Sequence, residues 1–330
     1  MNLTKRIINA CNCNNDQENT LNVLLMHSNE RYESFLAKTG HKFYCPMLQD
    51  AVWEKEIEER PENIYLLGKE ATNYQFLTAL NFDIAIGQNR NTDWAVIQNV
   101  SNILQIPTIL LERYPPPSSK EYNEKTETIK QISADINVFD NYTCQKMWGF
   151  MNSITIEDPV SRDYFYDKDE QRDNDLMTVA HNRDTDPRLN AIWDFVASEF
   201  PDVKPIGKFR EFSNHCNTVD DLRDEYNKTK IYVNMNTTTC SSLKEAMLCG
   251  CAVVSMSDEL NDIIEDGVNG YLCIDLSEMK QKIQILLDNP DMAKDMGKKA
   301  AKSLEGKYTV ESFTKSWDEI FNTIKKGIKQ

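Results

Sequence analysis

The sequence contains no apolar run long enough to span a membrane, and its N-terminus lacks the apolar stretch of a secretory signal. Stable membrane insertion is therefore not expected, and the expected location is the cytoplasm. An excess of positive charge is also missing. Lys and Arg number 37 against 52 Asp and Glu, giving a net charge of −15. The deficit is shared, with 14 basic and 21 acidic residues in 1–160 and 23 and 31 in 161–330. Such a balance argues against broad binding to nucleic acid or anionic membranes, while leaving room for a local basic patch. A paired cysteine framework is absent too. The nine cysteines are odd in number and scattered, several inside apolar runs, and read as reduced thiols. Cys11-x-Cys13 and Cys249-x-Cys251 have no histidine or further pair at zinc-ligand spacing, so no metal site is expected. No repeat of fixed period is present.

What is present suits an α/β protein of two domains: 330 residues, 40% hydrophobic and 27% charged. Residues 21–26 (LNVLLM) read as a buried strand, 31–38 as a helix closed by Gly40, and 41–45 as a second strand. Further strands are expected at 63–67, 82–87, 106–111, 136–139 and 154–156, with helices across 94–104 and 144–150. This alternation predicts a doubly wound first domain over 1–157. The acidic segment 158–175 reads as a solvated linker. Its Asp167-x-Asp169 pair fails as a calcium loop, because Arg172 takes the glycine position and Thr178 the final glutamate position. A second domain over 176–308 follows, with strands from 176, at 203–206 and at 231–234. Helices are expected at 187–199, at 219–226, from a cap at Ser277 and at 291–304. The last segment, 309–330, is a helix with Val310, Phe313, Trp317, Ile320, Phe321 and Ile324 at helical spacing.

Residues 237–270 (TTTCSSLKEAMLCGCAVVSMSDELNDIIEDGVNG) are the most informative stretch. Ser242 and Glu245 have capping-box spacing at the start of a helix over 243–249, and Gly250 supplies a left-handed stop. Residues 251–255 read as a strand buried on both faces. A second short helix over 259–266 ends at Gly267, before a strand at 271–273. A helix N-terminus above a sheet edge is a ready anion site. The runs 242–254 and 263–270 resemble the C-terminal domain of glycosyltransferase family 4. The family pattern has an acid, seven residues, Glu-Ala-Met-Ala-x-Gly-x-Pro-Val-Val, and later Ile-x-x-Gly-x-Asn-Gly. Motif similarity covers about 35 residues, and the order of elements fits over about 300. Phe313-x-x-x-Trp317 is in addition similar to short, phage-type members. The resemblance implies the GT-B fold: two Rossmann-like doubly wound domains facing across a cleft, with a C-terminal helix crossing back to the first. It also implies retaining, metal-independent transfer of a sugar from a nucleotide sugar, foremost a UDP-sugar, with no other cofactor.

The same resemblance carries roles onto single residues. Glu245 matches the second acid of the family pair and would hold the donor ribose, a role compatible with capping. The first acid falls on Thr237, a departure at the donor-sugar position. Thr237, Thr238, Ser241 and Ser242 still offer hydroxyls and backbone N–H groups to sugar and phosphate. Arg183, with Arg188 in place of the family's lysine, would face the departing diphosphate, where cations stabilise growing negative charge. As plain surface residues they would pair with Asp184 and Asp186. Asp184-x-Asp186 matches a three-residue metal motif of another glycosyltransferase fold and reads here as solvated. Base contacts fall on 216–218, with Asn217, approached by Gly207 and Lys208. The family's first-domain glycine-rich loop and its histidine after the fourth strand are both missing. His27, after the first strand and beside Asn29 and Glu30, is the substitute candidate; its alternative is a hydrogen-bonded structural group. Asn89 and Glu112 are further acceptor-side candidates, and Glu112 alternatively pairs with Arg113 or Arg90.

Two rival functions fit parts of the pattern. A nucleotide-sugar epimerase of this fold would need a first-domain set of acids and histidines that the sequence does not display. A non-catalytic nucleotide-sugar-binding or scaffold protein would account for Thr237. Sugar, lipid-linked, protein and modified-DNA acceptors all remain open, as does the oligomeric state.

Overall fold

The computed structural model describes residues 20–46, 53, 59–68, 74–116, 123–180, 187–207 and 216–328. The chain forms two compact units, 1–157 together with 310–330, and 158–309.

The first unit is built on seven parallel strands: β1 (Asn22–Leu25), β2 (Lys42–Pro46), β3 (Ile64–Leu67), β4 (Ile84–Gly87), β5 (Thr108–Glu112), β6 (Ile136–Phe139) and β7 (Ile154–Thr155). Their spatial order is β3-β2-β1-β4-β5-β6-β7, so the direction of winding reverses between β1 and β4. Helices α1 (Glu30–Ala37), α2 (Tyr74–Leu77), α3 (Trp94–Leu104), α4 (Asn123–Lys130) and α5 (Tyr142–Trp148) connect them. The strand interiors are mostly apolar because both faces are covered. Val23, Leu25, Ile84, Ile86, Ile109 and Leu111 join Phe35 and Leu36 of α1 in one core. Leu24, Met26, Ala85 and Leu110 join Leu77, Ile97 and Val100 in the other. Period-two alternation thus serves two cores at once. Ile103 of α3, three residues after buried Val100, is 61% exposed.

The second unit has five parallel strands: β8 (Asn174–Val179), β9 (Lys204–Ile206), β10 (Thr229–Asn234), β11 (Ala252–Ser255) and β12 (Tyr271–Leu272). Their order is β12-β11-β10-β8-β9, with the reversal between β8 and β10. The helices are α6 (Pro187–Glu199), α7 (Val219–Lys228), α8 (Ser241–Leu248), α9 (Leu276–Asp288) and α10 (Pro290–Ser303). Ala252, Val253, Val254 and Ser255 are fully buried, as the apolar run requires.

Four local expectations are corrected. Segment 158–175 is solvated only in part: Val160 and Phe165 are buried, and Arg172 ties the segment to the unit. The Arg172 guanidinium donates to Tyr226 O (3.1 Å), Thr229 O (2.6 Å), Cys249 O (2.6 Å) and Asp167 Oδ1 (3.0 Å). Only a 3₁₀ turn, Asp258–Leu260, forms where a helix over 259–266 was expected. The Asn269 side chain claims that backbone instead, accepting from Glu265 N (2.7 Å) and donating to Ile263 O (3.1 Å). Asp275, not Ser277, caps α9, accepting from Glu278 N at 2.8 Å. Helix α10 starts at Pro290, one residue before the expected 291, with the proline in its first turn.

The final helix, α11 (Val310–Ile328), belongs to the first unit. Phe313, Trp317, Ile320, Phe321 and Ile324 are buried in the core that also holds Val23 and Phe43. The Trp317 indole donates to the Tyr32 hydroxyl of α1 at 2.9 Å, so its polar edge is satisfied inside the core. Among the described residues, no helix is long and apolar enough to cross a membrane.

Candidate functional site

In open parallel sheets, ligands bind beyond the carboxyl ends of the strands where the winding reverses. In the second unit that place lies beyond β8 and β10, and β10 leads directly into the 237–242 stretch. The turn after β10 is shaped by Asn234, which is fully buried. Its amide donates to Asn236 O and to Ser255 Oγ of β11, both at 3.0 Å, and so aims the following loop. Thr237 is held there through its carbonyl, which accepts from Ser257 Oγ at 3.0 Å. Thr238 is 6% exposed.

The capping box expected at Ser242 and Glu245 is not made. Helix α8 starts two residues earlier than expected, at Ser241, with Cys240 as its N-cap and no side-chain hydrogen bond at the cap. An α-helix leaves its first backbone N–H groups without partners inside the helix. Here those groups belong to Ser241, Ser242 and Leu243, at the switch-point end of the sheet. Ser242 Oγ accepts from Tyr232 Oη at 3.1 Å and lies 3.3 Å from Cys240 Sγ. Burial raises the Tyr232 hydroxyl well above its ordinary pKa, so it remains a donor. Glu245 sits one turn into α8, 3% exposed, with Oε2 accepting from Tyr226 Oη at 3.3 Å. Arg188, in the first turn of α6, donates to Met256 O just beyond β11. Asn217 is exposed, ahead of Thr218, whose hydroxyl caps α7 in a full capping box with Asp221. Arg183 and Lys208 lie outside the described residues. The second unit thus brings Thr237, Thr238, Ser241, Ser242, Glu245 and Arg188 to one end of its sheet.

In the first unit, reversal between β1 and β4 places His27 and Gln88 side by side. His27 Nδ1 lies 2.7 Å from Glu33 Oε2, with the imidazole 18% exposed and the carboxylate wholly buried. Glu33 Oε1 also accepts from Ser28 N (2.8 Å), Asn29 N (3.1 Å) and Gln88 Nε2 (2.7 Å). Gln88 Nε2 donates to Met26 O as well, and Gln88 Oε1 is buried with no hydrogen-bond partner. Two acceptor-side candidates are engaged in the fold. Asn29 caps α1, accepting from Tyr32 N at 2.9 Å, and Asn89 holds the next turn by accepting from Asn91 N and Thr92 N. Glu30 occupies the first turn of α1. Glu112 is buried at the end of β5; it accepts from Arg90 N at 3.3 Å, and Arg90 Nε lies 3.9 Å away. Burial raises the Glu112 pKa to about 7, against the opposing pull of Arg90. The Arg90 guanidinium is itself boxed by the Phe150 ring at 4.2 Å and by Asn137 Oδ1 at 3.2 Å. Sequence reasoning missed Glu33, Gln88, Tyr226 and Tyr232. The one available sign was an acid at an inward position of α1, beside Tyr32, Phe35 and Leu36.

Parallel sheets of seven and five strands, each doubly wound and flanked by helices, define the GT-B fold. Residues 205–289 match the family model described as glycosyl transferases group 1. Over 86 residues the chain is 35% identical to the poly(ribitol-phosphate) alpha-N-acetylglucosaminyltransferase of Staphylococcus aureus (strain COL). That match covers 25% of this chain and 17% of the relative, so the chain spans only a small part of the curated protein it matches. Among solved structures, Anabaena Alr3699/HepE in complex with UDP-glucose is similar over 92% of this chain and 100% of its own, with a TM-score of 0.72 at 12% identity. Sucrose-phosphate synthase from Thermosynechococcus elongatus is similar over 92% and 99%, with a TM-score of 0.67 at 11% identity.

Proposed function

We propose that this chain is a glycosyltransferase of family 4 that moves a sugar from a UDP-sugar to a hydroxyl acceptor, with retention and without a metal. The observation that carries the reading is the arrangement around α8. A helix N-terminus without a side-chain cap, two serines and a buried glutamate share the switch-point end of the donor-side sheet. All of them fall within residues 205–289, the stretch matched by the glycosyl transferase model. The UDP-glucose in the Anabaena structure supports the donor class.

Each group has a chemical task in this reading. The N–H groups of Ser241 and Ser242 bind diphosphate oxygens, as a helix N-terminus favours. Arg183 and Arg188 offset the charge that grows on the leaving diphosphate. Glu245 accepts from ribose hydroxyls, with the Tyr226 hydroxyl fixing its carboxylate. Thr237 and Thr238 line the sugar, Asn217 and Lys208 the base. Residues 1–157 carry the acceptor side, with His27, Glu30 and Glu112 as its polar groups. A second reading, a nucleotide-sugar-binding protein without turnover, is favoured by one observation: Thr237 stands where the family has an acid.

Titration with UDP, and UDP release from UDP-glucose and UDP-N-acetylglucosamine across sugar, lipid-linked, protein and DNA acceptors, tests both. Glu245→Ala is expected to weaken UDP-sugar binding at least about tenfold, the low end of the worth of one hydrogen bond to a charged group. Unchanged binding would remove this donor site. Tight binding with no release across the whole panel would favour the second reading. Loss of turnover with a chelator would overturn metal independence, and an inverted product anomer would overturn retention.

A further inference from the structure

The loop that runs into α8 holds more hydrogen-bond donors than the fold uses. Among the described residues, the backbone N–H groups of Thr237, Thr238, Thr239, Ser241, Ser242 and Leu243 meet no acceptor. The hydroxyls of Thr237, Thr238, Thr239 and Ser241 have no hydrogen-bond partner among those residues either. Thr238 and Thr239 are nevertheless only 6% and 8% exposed. Buried polar groups are nearly always paired, so unused donors in a covered loop mark a place where a ligand supplies the acceptors. The loop is held in this form from outside: the Thr237 carbonyl accepts from Ser257 Oγ, and the Asn236 carbonyl from the Asn234 amide, both at 3.0 Å. From Thr229 through Lys244 the chain carries no carboxylate that would compete for these donors or repel an anion. Glu245, the next acid, is engaged by the Tyr226 hydroxyl.

The donors fall into two groups. Those of Ser241, Ser242 and Leu243 open α8 and serve the diphosphate in the transferase reading, on which this inference rests. Those of Thr237, Thr238 and Thr239 come before it, on the sugar side, and call for a second set of acceptors. A neutral hexose matches them poorly, because each of its hydroxyls brings a donor along with its acceptor. A carboxylate has two oxygens that only accept, and its bonds to backbone N–H and hydroxyl groups are charge-assisted. We propose that the transferred sugar is a uronic acid, its carboxylate bound by the N–H and hydroxyl groups of Thr237, Thr238 and Thr239. Thr237 is the specificity-determining residue: an acid at this position would repel the carboxylate that threonine admits.

Calorimetric titration of the full chain with UDP, with UDP-glucuronate against UDP-glucose, and with UDP-galacturonate against UDP-galactose tests this. Within each pair the sugars differ only at C6, carboxylate against hydroxymethyl. At least one uronate is expected to bind about tenfold or more tighter than its neutral partner, the worth of a hydrogen-bonded charge. Thr237→Glu is expected to abolish or reverse that preference. Thr238→Val keeps the side-chain shape without the hydroxyl and is expected to reduce the preference about threefold or more; it reads the same ratio should Thr237→Glu fail to fold. UDP binding with no uronate preference in either pair, or a preference that survives Thr237→Glu intact, would overturn the proposal. Wild-type protein that does not bind UDP at all would instead remove the donor site on which the proposal rests.

Discussion

Burial decides the chemistry of Glu112. The sequence shows only an acid closing an apolar strand; the tertiary structure places it 3% exposed beside Arg90 and raises its pKa to about 7. Because the folded value lies above the ordinary 4.5, the native state binds the proton more tightly than the unfolded chain. The stability this contributes is full below pH 4.5 and is lost as pH rises toward 7. Wild type is therefore expected to lose about 2–3 kcal/mol between pH 5 and pH 8 relative to Glu112→Gln, measured by urea unfolding of both at each pH. A parallel pH dependence in the two proteins would mean that Glu112 is ionised throughout. His27 is also defined by its tertiary neighbours. It was legible as a polar residue ending a strand, but Glu33 reaches it from α1, and Gln88, just beyond β4, holds that carboxylate. No local pattern announces such a meeting.

At the scale of elements, helix and strand positions were readable because apolar spacing is a local property. Strand β11 needed only its apolar run, and Gly250 only its place after a helix; its φ is +77°. What spacing did not reveal is why α10 can lie so close. At Gly297 of α10 a Cβ would come 2.0 Å from Gly250 O, and at Gly250 itself one would meet Asp167 Oδ2 at 2.5 Å. Gly297→Ala should therefore destabilise the second unit by about 2–3 kcal/mol, despite alanine's better helix propensity. Equilibrium urea unfolding would check this, and an unchanged midpoint would show that α10 can shift away at little cost. The start of α8 carries the same lesson. Ser242 and Glu245 have the spacing of a capping box, yet Tyr232 and Tyr226 engage both side chains, and Cys240 becomes the cap. Local rules placed this helix start two residues late; competing tertiary donors decided where it falls.

For the molecule as a whole, the last helix shows that sequence order and spatial membership differ. Helix α11 follows the second unit in the chain but completes the core of the first. Trp317→Ala should cost about 3–5 kcal/mol, through lost burial and the lost hydrogen bond from its indole to the Tyr32 hydroxyl. Because each unit has its own core, hydrogen exchange is expected to speed up in the strands of the first unit while those of the second keep their protection. Equal loss in both units would mean that they unfold as one. By itself, the sequence determined that the strands are parallel and buried and that glycines end particular helices. It also placed the segment before α8 at a strand end suited to anions. These follow from spacing, composition and backbone freedom, which act over a few residues. Only the tertiary structure decided that Arg172 is an anchor rather than part of a solvated linker, that Glu33 grips His27, and that Glu112 is held near neutral pH. Desolvation and hydrogen bonding depend on which distant groups share a volume, and the chain encodes that sharing only through the completed fold.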